Sequence, residues 1–172
     1  MRPVRAKTTI QRPVDEVYDY LLDIGTRPEF APSLFLDFRL TRVESYGVGA
    51  GARFRLHRKI RDRFAGTTIV AASPFHRIFE EGSTGRGARV PLAIEYLLEA
   101  QSGGSTKVEM IFETHPLNLA DQLRAIGLRR HVKARLPRSL KRLRDILEQS
   151  PTARKGDRAT VGGMDSNYVP NP

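Results

Sequence analysis

Residues 4–10 alternate: Val4, Ala6, Thr8 and Ile10 share one side, with Arg5, Lys7 and Thr9 on the other. A period of two is that of a half-buried strand. The period then changes. Val14, Val17, Tyr18, Leu21 and Leu22 recur at helical spacing, which predicts a short amphipathic helix with its apolar stripe turned inward. Pro13 suits the first helical position, and Asp15 and Glu16 suit the positive end of the helix dipole. Gly25 suits a left-handed helix end. Thr26 and Glu29 have capping-box spacing, so a second short helix is expected there, stopped by Pro32.

From residue 37 to 115 the chain reads as strands separated by turn signals, with no helix between them. That pattern predicts an antiparallel meander. Two phases are clean. Val90, Leu92, Ile94, Tyr96 and Leu98 oppose Glu95 and Glu99, and Val108, Met110, Phe112 and Thr114 oppose Lys107, Glu109 and Glu113. Residues 37–46 show no phase. After residue 117 the period is helical again. Leu119, Leu123, Ile126, Val132, Leu136, Leu140, Leu143 and Leu147 are read as one face of a long helix, which Gly127 and Pro137 should bend or interrupt. The expected order is therefore strand, two short helices, six strands and a long helix, in one domain over residues 1–149. Residues 150–172 are polar and rich in Gly and Pro, and a disordered tail is expected.

The composition narrows the chemistry. The 172 residues contain no cysteine, which removes disulfides, thiolate nucleophiles and Cys-ligated metals. Without a signal peptide or an apolar run of membrane-spanning length, a soluble, cytoplasmic protein is expected. The net charge of +10 is local: residues 118–149 carry +6 and residues 51–66 carry +5. Four histidines lack metal-ligand spacing, and no phosphate-binding or dinucleotide-binding glycine motif is present, so no metal and no cofactor are expected.

Two stretches carry a family resemblance. The first is residues 12–32, through Pro13, Glu16, Val17, Tyr18, Leu21, Asp23 and Pro28. The second is the Gly47, Gly49, Gly51 turn. With the order of elements, they resemble the START-like (SRPBCC) superfamily, which includes polyketide cyclases/dehydratases, lipid-transfer proteins and coenzyme-Q-binding proteins. The resemblance covers roughly residues 3–149. It implies an α+β helix-grip fold: a curved seven-stranded antiparallel sheet closed over by the long C-terminal helix, with a cavity between them. It also implies that Phe30 and Phe35 lie at the cavity rim. Such motifs specify a fold and not its chemistry.

Candidate ligand contacts are the aromatic and flexible side chains expected to face inward: Phe30, Phe35, Phe54, Phe64, Phe79, Tyr96, Met110 and Phe112. These residues could line a space or fill it. The candidates for acid–base chemistry are Tyr96, in mid-strand on the apolar face, and His115, after the last strand. Arg58 and Asp62 form a further polar pair close to a hairpin tip. Arg53, Arg55, Lys59, Arg61 and Arg63 share one strand parity opposite Phe54 and Leu56, giving a basic face. A solvated face, an anionic membrane and nucleic acid are its readings, in that order; exposed aromatic stacking platforms are lacking. The favoured function is binding or transport of a hydrophobic small molecule (a lipid, a quinone or a polyketide-like compound) without catalysis. The alternatives are a cyclase/dehydratase-like enzyme and a basic module that docks on acidic membrane or RNA.

Overall fold

The structure is a computed structural model, and residues 2–56 and 64–149 are described, excluding the side chains of Arg86, Ala120 and Arg124. Lys59, Arg61, Arg63, the Arg58–Asp62 pair and the tail lie outside the described residues.

Seven strands form one antiparallel sheet: β1 (Val4–Ile10), β2 (Leu36–Leu40), β3 (Gly51–Arg55), β4 (Phe64–Ser73), β5 (Arg77–Thr84), β6 (Val90–Gln101) and β7 (Ser105–Thr114). Their order is β1-β7-β6-β5-β4-β3-β2, so all neighbours but the first pair are hairpins. The sheet curls, helped by a bulge in β4 between Ile69 and Ala71 and another irregularity in β2. The phases expected for β1, β6 and β7 are the observed ones: Val4, Ile10, Leu92, Ile94, Tyr96, Val108, Met110 and Phe112 are all in the core. β2 is a short edge strand ending at Leu40, and its lack of phase reflects its exposed polar positions.

α1 (Val14–Leu22) buries Val17, Tyr18, Leu21 and Leu22, the apolar stripe read from its spacing. Its ends differ from expectation. Pro13 precedes the helix in an extended conformation. Gly25 does not supply a left-handed end; α1 stops at extended Asp23, whose carboxylate accepts from the Gly25 amide at 2.9 Å. Thr26 makes no capping box before α2 (Arg27–Phe30). Its backbone is already helical, so its hydroxyl donates back to the Tyr20 and Asp23 carbonyls instead. Glu29 accepts from Tyr20 Oη at 2.8 Å. The corner is fastened to the glycine turn: Ile24 N donates to Ser45 O and Gly47 N donates to Leu22 O. Gly49 has φ +94°, a conformation that a side chain would strain.

α3 (Leu119–Gln149) is a single helix, with Pro137 inside it and no interruption at Gly127. Pro137 is exposed, so its missing N–H leaves a carbonyl facing water. Leu128, Val132, Leu136, Leu140, Leu143 and Leu147 enter the core, packing chiefly towards β1. Leu119, Leu123 and Ile126 do not; they are exposed, at 72%, 65% and 45%. At about 100° per residue these three sit roughly a third of a turn away from the buried stripe. Arg12 clamps the far end of the helix, its Nε donating to Leu147 O at 2.9 Å. No helix among the described residues is long and apolar enough to cross a membrane.

Candidate ligand site in the sheet interior

The inner face of the sheet is largely apolar, but four polar side chains meet at its middle. β5 projects Ile78 and Glu80 inward, β4 projects Thr67, and β6 projects Tyr96. Pairing of Glu80 with Ile94, and of Ile78 with Tyr96, sets Glu80 and Tyr96 one step apart on neighbouring strands. Arg27 reaches this place from α2. Arg27, Glu80 and Tyr96 are all fully buried.

The guanidinium is held from three directions. Its Nε and Nη2 each lie 2.9 Å from Glu80 Oε1. Nη2 also donates to Leu21 O at 2.6 Å, and Nη1 donates to Asp23 O and Thr26 Oγ1, both at 3.3 Å. Leu21 O belongs to the last turn of α1, where carbonyls lack helical partners and the helix dipole is negative. Arg27 therefore ties the end of α1 to the sheet. The second oxygen of Glu80 accepts from Thr67 Oγ1 at 2.9 Å. Burial works against the charge on Arg27, but the carboxylates of Glu80 and Asp23 outweigh it, and its pKa ends above the ordinary arginine value.

Tyr96 lies beside this pair, with Arg27 Cζ 4.7 Å from its ring centroid, a cation–π contact in a dry setting. Its hydroxyl is buried and makes no hydrogen bond among the described residues. Burial raises its pKa well above the ordinary 10.0, with Arg27 opposing and Glu80 adding to the rise. The phenol thus stays protonated and is a donor, not a base. The site combines a neutralised ion pair with one spare hydroxyl in an apolar wall, an arrangement able to orient a polar group of an otherwise apolar molecule.

Phe30, Phe54, Tyr96 and Met110 are fully buried, and Phe35 and Phe112 nearly so. Phe35 packs on Phe54, with ring centroids 4.6 Å apart. Two expected inward residues face outward. Phe64 pairs with Arg55, is 48% exposed, and stacks beneath its guanidinium at 5.1 Å, because Ala65 takes the inward phase opposite Phe54. Phe79 is only half-buried, under Arg77 at 4.7 Å, because Ile78 and Glu80 hold the inward phase of β5. His115 is exposed, 3.7 Å from Glu113 and apart from Tyr96 in register. Arg53 is exposed on the outer face, while Arg55 is bound to Asp37 at 3.0 Å. Arg53 and Phe64 border an outer cleft of about 450 Å³ floored by Gly66, Ser83 and Gly87. No group of three or more potential metal ligands is assembled among the described residues.

Arg27 and Glu80 were not singled out from the sequence. Their signal was faint: in "RIFEEGST" an inward phase through Ile78 carries Glu80 with it, and a carboxylate there demands a cation.

The comparisons follow this geometry. Norcoclaurine synthase from Thalictrum flavum, in a truncated form, superposes with a TM-score of 0.67 at 10% identity, over 87% of this chain and 95% of that one. The KanY protein superposes at 0.65 with 14% identity, over 86% and 97%. Protein CV1439 from Chromobacterium violaceum superposes at 0.59 with 16% identity, over 86% and 98%. The chain has the helix-grip fold of the START-like (SRPBCC) proteins. No family model matches the sequence. No curated protein matches it either. This helix-grip chain thus shares a backbone with these solved structures and little of their sequence.

Proposed function

We propose that this helix-grip chain binds a hydrophobic small molecule between its sheet and α3, with the Tyr96 hydroxyl as the polar anchor. The observation that carries the reading is that buried, protonated hydroxyl without a partner among the described residues, set beside an ion pair already neutral. Leaving such a donor unsatisfied costs about 1–3 kcal/mol, which a ligand acceptor would recover. Tyr96 is wholly screened from water, so binding displaces neighbouring side chains. Met110, unbranched and adaptable, suits that displacement. Burying ~300 Å² of apolar ligand surface contributes roughly 7 kcal/mol before association costs. Norcoclaurine synthase of the same fold has been solved in complex with dopamine and hydroxybenzaldehyde, two small aromatic molecules.

The test is native mass spectrometry of gently purified protein, followed by titration of the recovered molecule into wild type and Tyr96→Phe. A bound small organic molecule whose affinity falls about tenfold in Tyr96→Phe supports the reading. Unchanged affinity removes Tyr96 as its anchor. A cyclase- or dehydratase-like reaction is the second reading, favoured by the same hydroxyl, because a phenol kept protonated can donate to a carbonyl as charge develops on its oxygen. Tyr96→Phe that binds normally but no longer converts the recovered molecule would favour it.

A further inference from the structure

We propose that the outer face of α3 docks on an anionic lipid bilayer, its first two turns entering the interface and its middle lying among headgroups. The observation is the composition of a single stripe. Leu119, Leu123, Ile126, Arg130, Lys133, Pro137 and Lys141 recur every three or four residues, and all are exposed. The stripe is aliphatic at its start and cationic after Ile126. Leu117, exposed at 69%, extends the apolar end. The buried stripe, from Leu128 to Leu147, is what holds the helix on the sheet, so the outer one is not needed for the fold.

The charges decide the occupant. Residues 118–149 carry +6, so a second copy of the helix laid against this one would bring like charge to like charge. Nucleic acid would use the cations but has nothing to contact three exposed aliphatic side chains that stand in a row. An anionic bilayer uses both: apolar side chains enter at the headgroup boundary and lysine and arginine meet lipid phosphates or carboxylates. The proposal stands whether or not the interior takes a ligand.

The test is co-sedimentation of the full chain with vesicles of phosphatidylcholine, with and without phosphatidylserine. Two double variants are compared: Leu119→Ser with Leu123→Ser, and Arg130→Glu with Lys133→Glu. Capture by the serine-lipid vesicles alone is expected. Each double variant should lower it by about tenfold or more, with melting unchanged because all four side chains are exposed. Salt of about 1 M, which shortens screening to about 3 Å, should release the protein. Capture of either variant equal to that of wild type, or equal capture by neutral vesicles, overturns the proposal. So does self-association that only the leucine variant abolishes. RNA capture that only the charge variant abolishes, without vesicle binding, overturns it as well.

Discussion

Removing Arg27 alone should damage the fold more than removing it together with Glu80. In Arg27→Met, Glu80 loses two contacts at 2.9 Å, and the Leu21 and Asp23 carbonyls lose their donor. A buried carboxylate stripped of its cation costs about 3–5 kcal/mol. For a domain of this size each kcal/mol moves Tm by roughly 2–4 °C, so a fall of roughly 10–15 °C is expected. Glu80→Leu alone should cost as much, leaving the buried guanidinium without a carboxylate. The double variant Arg27→Met/Glu80→Leu leaves no buried charge, and its loss should be smaller than either single loss. Thermal melts followed by circular dichroism, with urea titrations at 25 °C, measure all three variants and the coupling. Single variants within about 1 kcal/mol of wild type, or a double variant whose loss equals their sum, would refute the reasoning. The pair's contribution should be flat with pH around neutrality on the arginine side. Arg27 has its pKa raised, so its contribution is complete below the ordinary arginine pKa and is lost only in strong alkali beyond it.

Three more outcomes follow from the same geometry. Leu136→Ala or Leu140→Ala in the buried stripe of α3 should cost about 3–5 kcal/mol in urea unfolding, whereas Leu123→Ala should cost under about 0.5. Gly82→Ala should unfold the sheet locally or lower Tm steeply, since a Cβ there runs into the Gly66 carbonyl on β4; a melt matching wild type would contradict this. Tyr18, Tyr20 and Tyr96 have raised pKa values, chiefly through burial, so the stability they add is complete below 10.0 and is lost as pH climbs past it. Absorbance titration of tyrosinate should therefore show these three ionising late or together with unfolding.

Where a side chain's phase is repeated along a strand, the sequence was a sufficient guide. The five apolar positions of β6 and the four inward positions of β7 agree with each other, so no slip of register is tolerable. α3 was harder. Its apolar residues form two stripes about a third of a turn apart, and reading them as one placed Leu119, Leu123 and Ile126 in the core. Phe64 went astray because the parity changes between Leu56 and Ala65, across residues that the phase of β3 does not govern. Phe79 went astray because an aromatic ring next to a β-branched residue suggests the wrong inward member. Arg27 and Glu80 were hidden for a different reason. Each is an ordinary surface residue type, and only the meeting of α2 with β5, 53 residues apart, makes them a pair.

The place of β1 has a consequence for the order in which the molecule can assemble. β1 precedes the other strands in the chain, yet among the described residues its only strand neighbour is β7, and it is the main support of α3. The Arg12 clamp on Leu147 spans 135 residues. The hairpins from β2 to β7 can form from local contacts as they emerge, while β1 and α1 wait for the last helix. Closure is thus a long-range, late event, slow by the rule that distant contacts delay folding, and the unpaired edge of β7 is open to wrong strands until it happens.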